Sequence, residues 1–417
     1  MMKPTKSIKS SKLSLKFANT SKSLAIGNFI ENYHQLVSDY VEVLWDLEKI
    51  PVLIPKELTS SVSTTLSARI QQCAGKQASG IVRGTRKKQE QIMWRIKKLE
   101  EEGKFKYARK LKEKLNKTRI SKPTVKNLEC ELDERFIKID FENKTSFDGW
   151  ITISSIGNKQ KIIVPVKKTK HFNSLEDSSE KMLKGIRLSK EKITFNFELK
   201  PKESKSSGTT LGIDIGSSSV ISCSNGFQSV ENKDGYDLSR INRILSRKKK
   251  GSKSFRKVQQ HRKNYINWSV NQLNLDDVKR VKIENIKYLR KGKSSSRFLS
   301  HWTYTEIFGK LESKCFDSGV QIETVDPTYT SQRCSNCGRV RKANRKGKWF
   351  KCDSCGHTQD SDLNASLNIS FTLPKIPKEV RLMSLNRKGF YWLESGFYSD
   401  SSGSEPIVPN ALKTKNT

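Results

Sequence analysis

The chain has 417 residues, and its 80 Lys and Arg against 43 Asp and Glu leave a formal net charge of +37. No stretch approaches the ~20 consecutive apolar residues of a membrane span, and the basic segment Met1–Phe17 lacks the apolar core of a secretory signal. With 34% hydrophobic residues and a mean hydropathy of −0.67, the chain can build cores in roughly two to four domains while leaving much surface charged. A one-signed excess of this size is the electrostatic footprint of a nucleic-acid binder. An enzyme for acidic substrates or a membrane-surface protein accounts for it less well.

Residues 1–22 are rich in Ser and Lys, with an alternating run at Leu13, Leu15 and Phe17 that predicts a strand. From about Leu24 to Ile50, Phe29, Ile30, Tyr33, Leu36, Val37, Tyr40, Val41, Leu44 and Trp45 form an i, i+3, i+4, i+7 stripe. That spacing predicts a long amphipathic helix, ended by Pro51 and Pro55. A second helical stretch is expected from about Glu57 to Ile81, and a third from about Arg83 to Arg119, broken into a hairpin at Glu102–Gly103. Between Arg83 and Lys122 stand 16 basic and 5 acidic residues, more positive charge than a solvated helix pair needs and suited to phosphate contact. After Pro123 the period changes to two. Ile137, Ile139 and Phe141, then Trp150–Ile153, Ile162–Val164, and Ile193, Phe195, Phe197 and Leu199 predict strands of a barrel or small sheet. A Ser/Lys-rich linker, Lys202–Gly208, closes this half, so residues 1–205 read as a helical insertion inside a β-rich module.

The second half opens on Thr210–Gly216, an apolar strand interrupted by Asp214. A buried carboxylate without a partner costs several kcal/mol, and a metal ion is its usual partner. The first catalytic strand of an RNase H-like nuclease and the phosphate-binding turn of the actin-like ATPases both fit. Arg243–Lys263, with ten Lys and Arg and no acid, favours the nuclease, and no second phosphate-binding turn is present for the ATPase. Val281–Asn285 predicts a second strand with Glu284 near its end, and a third at Val320–Val325 leads into Asp326–Pro327. Asp360–Ala365 then precedes an apolar helical run and carries Asp362. Each carboxylate has a plain alternative: Asp214 as a turn former, Glu284 as a surface residue, Asp362 as a helix N-cap. Taken together, carboxylates at the ends of separate elements suit two Mg²⁺ ions in a phosphodiesterase.

Four of the eight cysteines, Cys73, Cys130, Cys223 and Cys315, are scattered singly. The others fall as Cys334 and Cys337, then Cys352 and Cys355, two C-x-x-C knuckles separated by fourteen residues. This spacing suits one tetrahedral Zn²⁺ in a ribbon and a reducing compartment, not a disulfide framework. Gly338 and Gly356, each following a second cysteine, permit the sharp knuckle turns. The tail beyond Pro374 reads as disorder with incidental aromatics (Phe390, Tyr391, Trp392, Phe397, Tyr398), contact with RNA or a partner being the alternative.

Gly212–Gly216, Ile283–Asn285, Asp326–Gly338 and Asp360–Ala365 together resemble the transposon-encoded TnpB nucleases and, equally, the miniature type V CRISPR effectors. The likeness covers about residues 209–371; the N-terminal half is similar only in layout. The resemblance implies an α+β multidomain protein. Residues 1–22 and 123–205 would form a β-rich wedge domain, with residues 23–122 as its helical recognition insertion. Residues 209–325 and 359–373 would form a RuvC (RNase H-like) α/β nuclease domain, with an inserted zinc ribbon at 326–358 that binds target nucleic acid, and 374–417 as a tail. The implied activity is Mg²⁺-dependent, RNA-guided DNA cleavage. Asp214, Glu284 and Asp362 would be both catalytic and ligands of two Mg²⁺ ions, with Asp360 as the fallback for the last, and the four knuckle cysteines would hold one structural Zn²⁺. Guide RNA and target double-stranded DNA are the implied partners, with no membrane, one chain or a homodimer on each RNA, and a cytoplasmic, nucleoid-associated place in a prokaryotic cell. Arg290–Arg297 corresponds to a lid. Two other functions compete: an RNA-guided DNA-binding regulator that does not cut, which loss of a carboxylate would favour, and a DDE-type transposase, which needs no ribbon between its second and third carboxylates.

Overall fold

Alternating apolar side chains at one end of the chain find their partner strand almost two hundred residues later, and a helical segment fills the interval. The computed structural model describes residues 7–120, 122–125, 128–142, 145–154, 161–200, 202–216, 219–286, 303–399 and 406–407. The segment Arg290–Arg297, read as a lid, lies outside them. The chain divides into two units, residues 1–200 and 201–417.

In the first unit, β1 (Ser7–Ser14) leads into α1 (Thr20–Trp45), α2 (Lys56–Ser60), α3 (Ala68–Glu101) and α4 (Phe105–Ile120). The apolar stripe of α1 is the buried face, from Ile26 to Trp45. Its two tyrosines keep their hydroxyls paired: Tyr33 lies 2.9 Å from Gln77 Oε1 of α3, and Tyr40 donates to the Thr59 carbonyl at 3.0 Å. Of the helical stretch expected from 57 to 81, the start forms α2 and residues 68–81 open α3, with a break between them; α3 then runs on unbroken, where a separate helix was expected, to the hairpin turn at Glu102–Gly103. The Ser- and β-branched run at 61–65 disfavours helix, and Ser67 supplies the N-cap from which α3 starts.

The chain returns through β2 (Cys130–Leu132), β3 (Ile137–Asp140), β4 (Gly149–Ser154), β5 (Lys161–Val166), α5 (Lys170–Ser178), β6 (Ser179–Leu188) and β7 (Lys192–Leu199). Two antiparallel sheets result, in the orders β1-β7-β6-β2 and β3-β4-β5. Phe172 of α5, fully buried, stacks edge-on against both Phe195 and Phe197 of β7.

The second unit opens with β8 (Thr209–Asp214) and β9 (Ser222–Cys223), followed by α6 (Leu238–Ser246), α7 (Lys253–Asn271), β10 (Val278–Glu284), α8 (Tyr304–Ser318) and β11 (Gln321–Val325). The sheet order is β11-β10-β8-β9, with β10 parallel to both β8 and β11 and β9 antiparallel to β8. Short strands β12 (Arg339–Val340), β13 (Arg345–Lys346), β14 (Trp349–Lys351) and β15 (Thr358–Asp360) come next, then α9 (Ser361–Ser370), α10 (Lys378–Leu382), β16 (Phe390–Leu393) and β17 (Gly396–Tyr398).

Strand alternation divides the work of the β8–β10 pair. Leu211, Ile213, Val281 and Ile283 enter a core with Leu238 and Ile241 of α6, Ile266 and Val270 of α7, and Ile307 and Leu311 of α8. Each such aliphatic side chain, fully buried, contributes about 1.5–3 kcal/mol. Gly212 on the other face meets α9, whose backbone comes so close that no side chain fits between them.

The tail departs from the expectation of disorder between Lys378 and Tyr398. Val340 pairs with Phe390 across β12 and β16, and Phe390, Trp392, Ile376 and Val380 form a small core with Val340. These aromatics are buried because an earlier strand offers them an edge, a long-range pairing that composition does not reveal. Among the described residues no helix is long and apolar enough to cross a membrane.

Candidate functional site

Pairing of Ile283 with Ile213 puts the next residue of each parallel strand, Glu284 and Asp214, side by side at the strands' C-terminal ends. Because side chains alternate, both share the α9 face with Gly212 and Lys282. Lys282 is buried and donates from Nζ to the Phe371 carbonyl and to Thr372 Oγ1, each at 2.9 Å. It thereby satisfies a carbonyl just past the C-terminus of α9 and opposes that end of the helix dipole.

The opposite end of α9 separates its two acids. Asp360 is the N-cap: its Oδ1 accepts from the Asp362 and Leu363 backbone N–H groups at 2.9 and 3.1 Å, and from Gln228 Nε2 at 3.0 Å. Asp362, only 5% exposed, lies in the first turn. Its Oδ1 accepts from Arg345 Nη2 at 3.2 Å and its Oδ2 from Lys348. The capping role contemplated for Asp362 therefore belongs to Asp360.

Asp214 senses the other two carboxylates. Loss of solvation, then the charges of Glu284 and Asp362, push the Asp214 carboxyl well above the usual carboxylate range, against the opposing charges of Arg345 and Lys348. Asp214 still keeps part of its surface open. Burial pushes Glu284 up to about 7, against a hydrogen bond donated by Thr330 and the charge of Arg345. Hard oxygen donors from three elements, two of them with carboxyls raised chiefly by burial, suit a small divalent ion such as Mg²⁺.

The knuckles are near copies of each other. Gly338 N–H donates to the Cys334 carbonyl and Gly356 N–H to the Cys352 carbonyl, at 3.0 and 3.2 Å. Both glycines have positive φ, 79° and 71°, as such turns require. The four Sγ atoms lie within 4.8 Å of one another, the one group of three or more possible ligands this tight among the described residues. Cys334–Cys355 and Cys337–Cys352 separations of 3.7 and 3.6 Å approach the ~3.8 Å tetrahedral edge implied by Zn–S bonds of ~2.3 Å. The carboxylates do not close to that spacing. Asp362 is turned onto Arg345 and Lys348, and Glu284 onto Thr330.

Sequence reasoning missed Arg345, Lys348, Thr330 and Lys282. The first two sit on the β13–β14 hairpin between the knuckles and read as ordinary surface charge. Lys282 carried a usable signal, a cation two positions before Glu284 and flanked by Val281 and Ile283 in the buried last four residues of the strand. The nearby cavity of about 600 Å³ is lined by Asn285, Asp326, Thr330, Asn368, Lys375 and Trp392 among others, and by none of the three carboxylates.

Residues 304–369 match the family model described as Cas12f1-like, TNB domain. The chain is 36% identical over 128 residues to a CRISPR-associated endodeoxyribonuclease Cas12f1 of Sulfoacidibacillus thermotolerans, covering 30% of this chain and 29% of that protein. It is 30% identical over 196 residues to the putative RNA-guided DNA endonuclease InsQ of Escherichia coli K12, covering 39% of this chain and 48% of that one. A TnpB-like protein of Aquifex aeolicus is 32% identical over 99 residues, 22% of this chain and 32% of that protein. The matches thus span less than half the length of these relatives. Among solved structures, a Cas12f1–sgRNA–target DNA complex aligns over 88% of this chain and 99% of that one, with 17% identity and a TM-score of 0.43. The chain is similar to Cas12f1, InsQ and TnpB-like proteins.

Proposed function

We propose that this protein is an RNA-guided DNA endonuclease of the TnpB and miniature type V kind, with a RuvC-like centre formed by Asp214, Glu284 and Asp362. The observation that carries the reading is the parallel register that sets Asp214 beside Glu284, with the charge of Asp362 felt by Asp214. Two Mg²⁺ ions bound by these residues would activate a water and stabilise the leaving 3′ oxygen. Asp214 is partly buried, while Glu284 and Asp362 are nearly closed off from water. Arg345 and Lys348 hold positive charge beside Asp362, where a phosphodiester would approach. Cys334, Cys337, Cys352 and Cys355 would hold one Zn²⁺ that shapes the ribbon. The basic hairpin of α3 and α4 and the basic stretch shared by α6 and α7 would bind RNA and DNA backbones.

The test is to express the chain with the nucleic acid of its native locus and sequence the RNA that co-purifies. A plasmid matching that guide is then incubated with Mg²⁺ and either wild type or Asp214→Ala. Specific cutting that the substitution abolishes is the expected result. No specific RNA, or equal cutting by Asp214→Ala, overturns the proposal.

A further inference from the structure

The segment Thr330–Ser335 joins the two centres. One end carries Cys334 of the first knuckle, and the other donates a hydrogen bond from Thr330 Oγ1 to the Glu284 carboxylate. Its path is set by Tyr329, which adopts a left-handed φ of 64°, so that the Gln332 and Arg333 N–H groups fold back onto the Tyr329 carbonyl.

Helix α9, which presents Asp362 from its first turn, grips this segment with two buried amides. Asn364 donates to the Arg333 carbonyl at 2.8 Å and accepts from the Ser335 N–H at 3.0 Å. Asn368, one turn on, donates to the Arg333 carbonyl at 2.7 Å and to the Thr330 carbonyl at 2.9 Å, and accepts from Arg333 Nη1 at 2.6 Å. Arg333 is itself buried and donates from Nε to the Trp392 carbonyl at 2.8 Å. Every polar group of the two amides that the knuckle segment can reach is used, so the segment cannot shift alone without leaving buried polar groups unpaired, at about 1–3 kcal/mol each.

We propose that the four-cysteine centre sets the divalent-cation affinity of the carboxylate site, with Asn364, Asn368 and Thr330 as the positioning residues that transmit its state to Glu284 and Asp362. This rests on the reading of the three carboxylates as a metal site. When the knuckle is held closed, Ser335 and Arg333 lock α9 in place, and the Thr330 hydroxyl steers one Glu284 oxygen. When the knuckle opens, the amides lose their partners, and the hydroxyl and the helix end that carries Asp362 lose their common anchor. Groups that orient metal ligands in this way typically change metal affinity by ~10–100-fold.

The experiment titrates Mn²⁺, followed by electron paramagnetic resonance, into the full chain without added substrate DNA. Zinc-loaded wild type is compared with Cys337→Ser, Thr330→Val, Thr330→Ser, Asn368→Ala and Asp214→Asn, with far-UV circular dichroism on each. Thr330→Val should weaken Mn²⁺ binding ~10–100-fold, and Thr330→Ser should recover it. Cys337→Ser should weaken it comparably, and adding Asn368→Ala to Cys337→Ser should cost little more, because both break one relay. Mn²⁺ affinity within twofold of wild type in a folded Thr330→Val protein overturns the proposal, whatever Cys337→Ser does to folding. If instead Asp214→Asn leaves Mn²⁺ binding unchanged, it is the carboxylate reading that fails.

Discussion

Substituting Gly212 by alanine places a methyl group against α9. The added carbon would stand 2.0 Å from the Ser366 carbonyl oxygen and 2.5 Å from the Ser370 nitrogen, both backbone atoms with no rotamer to yield. Ordinary contact begins near 3.4 Å, so α9 must retreat by about 1.4 Å or the strand must bend. Overpacking of this kind costs about 1–3 kcal/mol, whereas the stiffer unfolded chain returns about 0.4–1 kcal/mol. The clash wins, for a net loss of about 1–2 kcal/mol. Because the displaced helix carries Asp362, a shift of ~1 Å should also slow cleavage by on the order of 100-fold. Urea denaturation followed by circular dichroism reads the first effect, and single-turnover cleavage by the RNA-bound protein reads the second. A Gly212→Ala protein that is more stable than wild type and cuts at the same rate would refute the close approach of α9 to β8.

Asp360→Ala removes the N-cap of α9 and should cost about 1 kcal/mol with cleavage retained, whereas Asp362→Asn should reduce cleavage by more than the ~10–100-fold expected of an outer partner. The reverse ranking in paired melting and cleavage assays would make Asp360 the ligand. Without added Mg²⁺, stability should fall as pH rises from about 4.5 to about 7, because the folded chain holds a proton on Glu284 that the unfolded chain releases. Below both values the contribution is complete; above them up to about 3 kcal/mol is lost, and Mg²⁺ should restore it at pH 8. A flat melting temperature across that window without Mg²⁺ would contradict the burial of the Glu284 carboxyl. Trp392→Ala empties part of the small core around Val340 and should cost about 3–5 kcal/mol locally, measured as faster proteolysis of the C-terminal strands and faster zinc loss to a chromogenic chelator. Unchanged rates in both assays would show that the tail does not brace the ribbon.

What the sequence disclosed was mostly local. Asp214 and Glu284 stood out because a charged residue at the end of an otherwise buried strand demands a partner, and the C-x-x-C spacing because each knuckle is a self-contained turn. Which of Asp360 and Asp362 caps α9 needed backbone direction at the start of the helix, which spacing cannot supply. Arg345 and Lys348 remained hidden because their meaning depends on where a hairpin is folded back, and Asn364 and Asn368 because buried amides resemble surface polar residues until their partners are placed. In the first unit, β6 was missed because its pairing with β7 is interrupted by register shifts that blur the alternation.

The stretch between β11 and α9 that carries the two cysteine knuckles also bears on the order of folding. As the chain is synthesised, Asp214 and Glu284 emerge early and can pair within the parallel sheet, but Asp362 must be returned to them across about eighty residues. Closing so long a loop in one step is entropically unfavourable and slow. The three-stranded hairpin of β13, β14 and β15 can form locally and ends on Asp360, the N-cap of α9, so folding it first shortens the remaining closure. On the proposed reading of the three carboxylates, the site would stay incomplete in a nascent chain until that hairpin had formed and α9 had docked.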